Sequence, residues 1–309
     1  MEKIVVIGSS NVDTTLHVKD FPKPGETINA TSVTTAGGGK GANQAIAAAK
    51  SGAKTLFISR VGEDSAGEFI MKQLKSYGVS LDYIQNTPEQ DTGRAFITLN
   101  DTGQNDIIIA HGANYCLSKE DVDAASDMIG DMDCIVAQFE TPIEATIEAF
   151  KIAKDCGAVT ILNPAPAIDQ IPAELLRLTD VITPNETECA SITGISINAE
   201  EDLKVSAKKL HQLGIKNVVI TYGDKGSYIS VPGFEKLVPA FKVNAVDTTA
   251  AGDTFIGYLA SNLNNDLSNF EQAAVIASRA SSIAVQRLGA QPSIPTAKEV
   301  EDLMERENG

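Results

Sequence analysis

Residues 247 to 255 read DTTAAGDTF and continue as FIGYLASNL. Ala250, Ala251 and Gly252 carry almost no side chain, so backbone there can come close to a ligand. FIGYLASNL reads as a helix, which puts the amides of Ala250, Ala251, Gly252 and Asp253 at its N-terminus. Four free N–H groups and the helix dipole favour an anion at such a place. A transferring phosphoryl group needs that arrangement. Asp253, at the same junction, can accept a proton from an attacking hydroxyl. A reference pKa of about 4 keeps it ionised at neutral pH without a large shift. A capping aspartate is the alternative, but capping does not require the small residues before it.

Further chemistry-bearing stretches lie elsewhere in the chain. AGGGKGANQA, residues 36 to 45, sets three glycines, Lys40 and Gly41 directly before a helical pattern. Ala42 stands where a Walker A loop needs a hydroxyl, and the stretch is not GxGxxG after a buried strand. A flexible hinge is one reading. Lys40 and Asn43 turn it toward a polar small-molecule site. In SSNVD, residues 9 to 13, Asn11 and Asp13 follow the first strand, where α/β proteins place ligand groups. Strand alternation points both side chains the same way. An amide with a carboxylate offers the donors and acceptors that sugar hydroxyls need; an Asx-turn is the alternative. In TPNETE, residues 183 to 188, Asn185 and Glu188 have capping-box spacing. Glu188 also suits a hydrated magnesium ion, which takes few carboxylates. In TYGDKGSY, residues 221 to 228, Gly223 and Gly226 bracket a tight turn. It reads as a plain hairpin or as a wall against a nucleotide.

These groups need a scaffold, and the hydrophobic pattern supplies one. KIVVIG at 3 to 8 reads as a buried strand. Residues 41 to 51 read as a helix, LFISRVG at 56 to 62 as a strand, and 64 to 78 as a helix. Asp64 is its expected N-cap and Gly78 its stop. CIVAQ (134 to 138), AVTILN (158 to 163), DVITPN (180 to 185) and NVVITYG (217 to 223) read as strands. Helices are expected near 142 to 155 and 199 to 213. The fold class is therefore α/β, a mainly parallel central sheet with helices on both faces. Two stretches break the rhythm. TTLHVKDF and ETINATSVTT flank the turn PKPGE, while RAFITLN and NDIIIAHG flank DTGQ as a hairpin. Four strands are too few for an independent domain and suggest a small projecting sheet.

Composition narrows the partners. The 309 residues are 43% hydrophobic and 21% charged, with a net charge of -16. That is ample core for one large domain or two modest ones. The acidic excess argues against DNA or RNA, whose phosphates need a basic face. A small phosphate ligand is still admissible, because amides and one or two cations can hold it. Cys116, Cys134, Cys156 and Cys189 form no CxxC pair and the histidines are scattered, so no zinc site is expected. The thiols read as free in a reducing cytosol. The apolar run before Gly8 is too short for a signal peptide, and no stretch approaches a membrane span. A cytoplasmic protein without a membrane partner is expected.

AGGGKGANQA and DTTAAGDTF together resemble the two signature regions of the PfkB carbohydrate kinases, the ribokinase family. QFETP at 138 to 142 and PNETE match the same family in the same order. The resemblance covers essentially the whole chain. SSNVD, FPKPGET, LNPAPA and GAQPS resemble the members that phosphorylate the 5-hydroxyl of D-ribose with ATP and Mg²⁺. The resemblance implies a three-layer αβα body over residues 1–10, 37–91 and 113–309. It implies a β-lid over 11–36 and 92–112, with two lids pairing into a homodimer. Asp253 matches the catalytic base, and Ala250, Ala251 and Gly252 the anion hole. Asn11, Asp13, Gly39, Lys40, Asn43 and Glu140 match sugar contacts. Asn185, Thr221, Gly223, Asp224, Lys225, Gly226 and Gly252 match the nucleotide site, with Glu188 tied to magnesium and phosphate. Ser278 stands near the adenine, where many members carry Asn or His. A K⁺ activator would be held by the side chains of Asp247 and Ser293. The carbonyls of Thr249, Ala284, Arg287 and Gly289 would complete its shell. Rival readings are a 2-deoxyribose, fructose or ketodeoxygluconate kinase of the same family, and a non-catalytic sugar or nucleotide sensor. A nucleoside kinase fits less well, because Phe21 is the only aromatic residue between Asn11 and Ala36 with which to stack a base.

Overall fold

A strand buried on both faces must be apolar at every position, and KIVVI meets that demand. Ile4, Val5, Val6 and Ile7 are all fully buried in β1 (Lys3–Ile7). Ile4 and Val6 join one apolar cluster and Val5 and Ile7 another, so helices cover the sheet on both sides. The computed structural model describes residues 1–308. The strands that follow are β2 (Asn11–Val18), β3 (Ser32–Gly38), β4 (Lys54–Gly62), β5 (Ser80–Thr87), β6 (Gly93–Asn100) and β7 (Asn105–Ala110). After them come β8 (Cys134–Ala137), β9 (Val159–Leu162), β10 (Val181–Ile182), β11 (Asn217–Thr221), β12 (Ser227–Val231) and β13 (Phe234–Val238).

One sheet has nine strands in the order β13-β12-β11-β10-β9-β8-β1-β4-β5. Pairing is parallel from β5 through β11 and antiparallel at β12 and β13. The second sheet, β3-β2-β6-β7, is the small one expected. β2 pairs with β3 antiparallel and with β6 parallel, so the two odd stretches of sequence are woven together. The three-layer α/β class and the extra sheet agree with the reading of the sequence.

The helices start and stop for local reasons. Asp64 caps Ser65–Ser76 by accepting from the Gly67 amide at 2.7 Å, and Gly157 closes Ile143–Cys156 in the left-handed region. Two expectations shift and two strands were not foreseen. DVITPN is a strand only over Val181–Ile182, because Pro184 has no N–H and Asn185 already caps the next helix. ETINATSVTT becomes strand only at Ser32. β5 and β13 are edge strands with mixed polar faces, and their pattern was too weak to read as strand. Among the described residues, no helix is long and apolar enough to cross a membrane.

Candidate active site

The carboxyl ends of β1 and of β8 to β11 open on one side of the large sheet, and the candidate residues gather there. Asp253 is the third residue of the helix Ala251–Asn262 and is 8% exposed. Its side chain does not cap that helix. Ala250 is the N-cap and no side chain bonds the free amides. The Asp253 carboxylate instead points at the helix Lys40–Lys50. Oδ2 accepts from Asn43 Nδ2 and Oδ1 from Gln44 Nε2, both at 3.0 Å. A cavity of about 220 Å³ opens beside it, lined among others by Lys40, Asn185, Glu188, Thr221, Ala250, Ala251 and Gly252. A larger hollow of about 650 Å³ lies between the β12–β13 hairpin and the helix Phe270–Ala284. It is mainly apolar, and its one carboxylate, Glu271, pairs with Lys236. The smaller cavity is the one with chemistry.

The anion cradle differs in one detail from the sequence reading. Ala250 takes φ 58, a left-handed angle that only Leu267 shares among the described non-glycine residues. That turn brings the Ala251 amide onto the carbonyl of Thr248 at 3.2 Å. Ala251 therefore contributes close backbone and not a free donor. Gly252 and Asp253, the next two positions, face the cavity.

Glycines 39 and 41 are not a loose hinge. Gly39 precedes the helix at φ 87. A Cβ on Gly41 would lie 2.6 Å from Gly8 C and Ser9 N. Backbone packs on backbone there, and this fixes Lys40 and Asn43. The Lys40 amide donates to Glu140 Oε2 at 3.0 Å, and Ser9 Oγ donates to the same oxygen. Asn11 is 3% exposed on β2, not in an Asx-turn. Its Oδ1 accepts from Asn114 Nδ2 at 2.8 Å.

The electrostatics follow from burial and crowding. Burial opposes the charge on Lys40, yet the carboxylates of Asp253, Glu140 and Glu188 raise its pKa above the ordinary value. Burial raises Asp253, while Lys40, Asn43 and Gln44 pull it down. The sequence reading required no large shift at Asp253; in the fold its pKa lies above the ordinary value. Glu188 is raised by burial too. Burial, then Glu140 and Asp253, push Asp13 up to about 7. The unfolded chain has Asp13 near its ordinary 3.8, so the folded state holds a proton that the unfolded state has lost between these values. That stabilisation is present below pH 3.8 and is lost as pH rises through about 7. Asp13→Asn should therefore melt higher than the parent at pH 8 and nearly level with it at pH 4. Calorimetry at the two pH values checks this; equal differences at both would contradict it.

The nucleotide-side residues divide. Asn185 and Glu188 form the capping box, with Asn185 Oδ1 accepting from the Glu188 amide at 2.8 Å and Glu188 Oε2 accepting from the Asn185 amide at 2.9 Å. Both also line the cavity, so capping and site are one arrangement. Thr221 lines it as well. Gly223, Asp224, Lys225 and Gly226 do not. They turn β11 into β12, and Lys225 Nζ donates to Tyr222 Oη at 2.7 Å. A Cβ on Gly226 would meet Val238 O at 2.0 Å, so this glycine serves the fold. Ser278 is buried on Phe270–Ala284, outside the cavity wall.

The six residues of the expected cation site come from two segments that meet: the loop before the helix Ala251–Asn262, and the stretch from the end of the helix Phe270–Ala284 through the short helix Ala290–Ser293. The amides of Val246 and Asp247 donate to Val285 O at 2.7 and 3.1 Å, and the Gly289 amide donates to Asp247 Oδ2 at 2.9 Å. Asp247 Oδ1 accepts from the Thr249 amide at 2.9 Å. Ser293 is buried and donates to Ala290 O, while the Arg287 side chain turns away to Glu299. One carboxylate, one hydroxyl and the carbonyls of Thr249, Ala284, Arg287 and Gly289 are hard oxygen donors with a single formal charge. That donor set fits a weakly held monovalent cation better than a divalent one. Among the described residues, no group of three His, Cys, Asp or Glu could hold a metal ion.

The sequence reading missed Gln44, Asn114, Gln138, Asn163, Thr183 and Thr248. Gln44 left one usable signal, an amide set directly before the apolar run AIAAA.

Comparison with known proteins fits this geometry. The model of the pfkB family carbohydrate kinases matches residues 1–297. A bifunctional ribokinase/ribose-5-phosphate isomerase A of Fructilactobacillus sanfranciscensis is 50% identical over 97% of this chain; the match spans 56% of that longer protein. A ribokinase of Staphylococcus aureus is 47% identical, over 96% of this chain and 98% of its own. The structure of Arabidopsis thaliana ribokinase complexed with ribose and ATP superposes with a TM-score of 0.90 at 36% identity, covering 98% of this chain and 99% of that one. With a family match over nearly its whole length and such relatives, the chain belongs to the pfkB family of carbohydrate kinases.

Proposed function

We propose that this chain transfers the γ-phosphate of ATP to the 5-hydroxyl of D-ribose, giving D-ribose 5-phosphate and ADP. The observation that carries the reading is a buried carboxylate, Asp253, held by two amide donors beside a helix N-terminus and a buried lysine. Asn11, Asp13 and Asn43 would bind the sugar hydroxyls and bring the 5-oxygen to Asp253. Asp253 accepts the hydroxyl proton as that oxygen attacks phosphorus. The Gly252 and Asp253 amides and Lys40 face the charge that spreads over the phosphoryl oxygens. A site closed by the small sheet keeps water from competing as acceptor. Magnesium, near Glu188, would supply charge neutralisation on the phosphates. K⁺, at Asp247 and Ser293, would set the shape of the loop that leads into Ala250. The test is ATP turnover that depends on D-ribose, with the 5-phosphate as product; ATP consumed equally without sugar would contradict it.

We also propose a homodimer through the small sheet. The edge strand β7 is exposed along its whole length, with Ile107 at 53% and Ile108 at 70%. An apolar edge needs a partner or a cover. Sedimentation equilibrium should give twice the 32.6 kDa chain mass. A monomer at micromolar concentration would rule the dimer out.

A further inference from the structure

Gln44 is fully buried, so it cannot touch a substrate, yet it bonds the Asp253 carboxylate directly. Its Nε2 donates to Asp253 Oδ1 at 3.0 Å and to Asn163 Oδ1 at 3.1 Å. Its Oε1 accepts from Gln138 Nε2 at 2.6 Å. Asn163 Nδ2 in turn donates to the carbonyl of Thr183 at 3.0 Å. A backbone carbonyl can only accept, so Thr183 sets which way Asn163 faces. Asn163 then presents its oxygen to Gln44 and fixes the nitrogen of Gln44 toward Asp253. The direction of the whole relay follows from one backbone group. Its anchors stand just past β8, β9 and β10, with Gln44 on the helix Lys40–Lys50.

Asp253 Oδ1 is thus tied inward to a rigid amide. Oδ2 has only Asn43, whose own Oδ1 is buried without a protein partner. We infer that Gln44 is a positioning residue for proton transfer: it holds Asp253 Oδ1 inward and leaves Oδ2 as the oxygen that takes the hydroxyl proton. This rests on Asp253 being the base.

The surroundings make the tie necessary. The Lys40 ammonium pulls the Asp253 pKa down, and Glu140 works against it. Asp253 in turn raises Asp13 and Glu188, so four carboxylates share this neighbourhood. Neutral donors pull the pKa of the buried base down without adding a charge that would attract the phosphate elsewhere.

Gln44→Leu removes both donors, and Gln44→Glu keeps the shape with one donor at most. In both, the Asp253 carboxyl pKa should rise by about one pH unit, a tenfold change in ionised fraction below it. It is read by carbon NMR of labelled aspartate in the folded protein, without turnover. The acid limb of the kcat/KM profile should move to higher pH, and kcat should fall by about 10- to 100-fold with KM for sugar and ATP little changed. The Leu variant also strands Gln138 and Asn163, and the Glu variant reads the same shift if the Leu variant does not fold. An Asp253 pKa that stays put in the folded variants overturns the inference, even where turnover falls. Asp253→Asn retaining near-parental turnover overturns the base assignment instead.

Discussion

Asp253→Asn should lower kcat by roughly 10²- to 10⁴-fold and leave the sugar KM nearly unchanged. The fold should survive because the hydrogen bonds can rearrange. Gln44 cannot turn, since Thr183 fixes its relay, so the new amide must present its oxygen to Gln44. Its nitrogen then meets Asn43, whose Oδ1 lacks a protein partner and can turn to accept. The variant loses the base and keeps the packing. Burial holds the Asp253 pKa up, so its stabilisation fades as pH rises through the folded value. The asparagine variant should therefore be at least as stable as the parent at pH 8. Steady-state rates and melting curves check both halves. Near-parental turnover would remove Asp253 from the mechanism; an unfolded variant would refute the rearrangement.

Gly41→Ala should cost about 3 kcal/mol of stability and about 10² in kcat/KM. A Cβ at this position would meet the backbone of Gly8 and Ser9 at 2.6 Å, closer than real Cβ contacts come. Neither partner is a flexible side chain that can swing away. The helix Lys40–Lys50 must move outward, and Asn43 and Gln44 move with it, away from Asp253. The Ala42 amide, bonded to Ser9 O at 2.9 Å, loses its partner as well. Gly252→Ala is the control for stability, because nothing lies within 4 Å of a Cβ there. Calorimetry should show Gly41→Ala melting well below Gly252→Ala. Equal melting temperatures would mean that the glycine motif is a tolerant loop after all.

The glycine motif shows why some of this was legible in sequence and some was not. Three glycines and a lysine before a helix mark close approach, but they do not say to what. The sequence suggested ligand or hinge; the structure adds Gly8, just past β1 and about thirty residues away, a contact with no local signature. The alternation of strands and helices was legible because buried parallel strands must be apolar on both faces, as in β1. Edge strands such as β5 have one wet face and lost the signal. Asp253, Lys40 and Glu188 were legible because their type is costly to bury without a purpose. Gln44, Gln138 and Asn163 were not, since a buried amide is as often a structural bond as a functional one. For the hairpin residues Gly223 to Gly226 the sequence left two readings, a plain turn or a wall against a nucleotide; the turn accounts for their backbone, and of that stretch only Thr221 lines the cavity.

The most direct measurement is ADP release with D-ribose, 2-deoxyribose and fructose in parallel, each with K⁺ or a bulky inert cation at equal ionic strength. The account predicts a kcat/KM for D-ribose at least about tenfold above the other two, a difference worth about 1.4 kcal/mol in the transition state, and stimulation by K⁺. A preference for another sugar would keep Asp253 and its cradle but contradict the assignment of Asn11 and Asp13 to ribose. No turnover with any of the three would contradict the kinase reading itself.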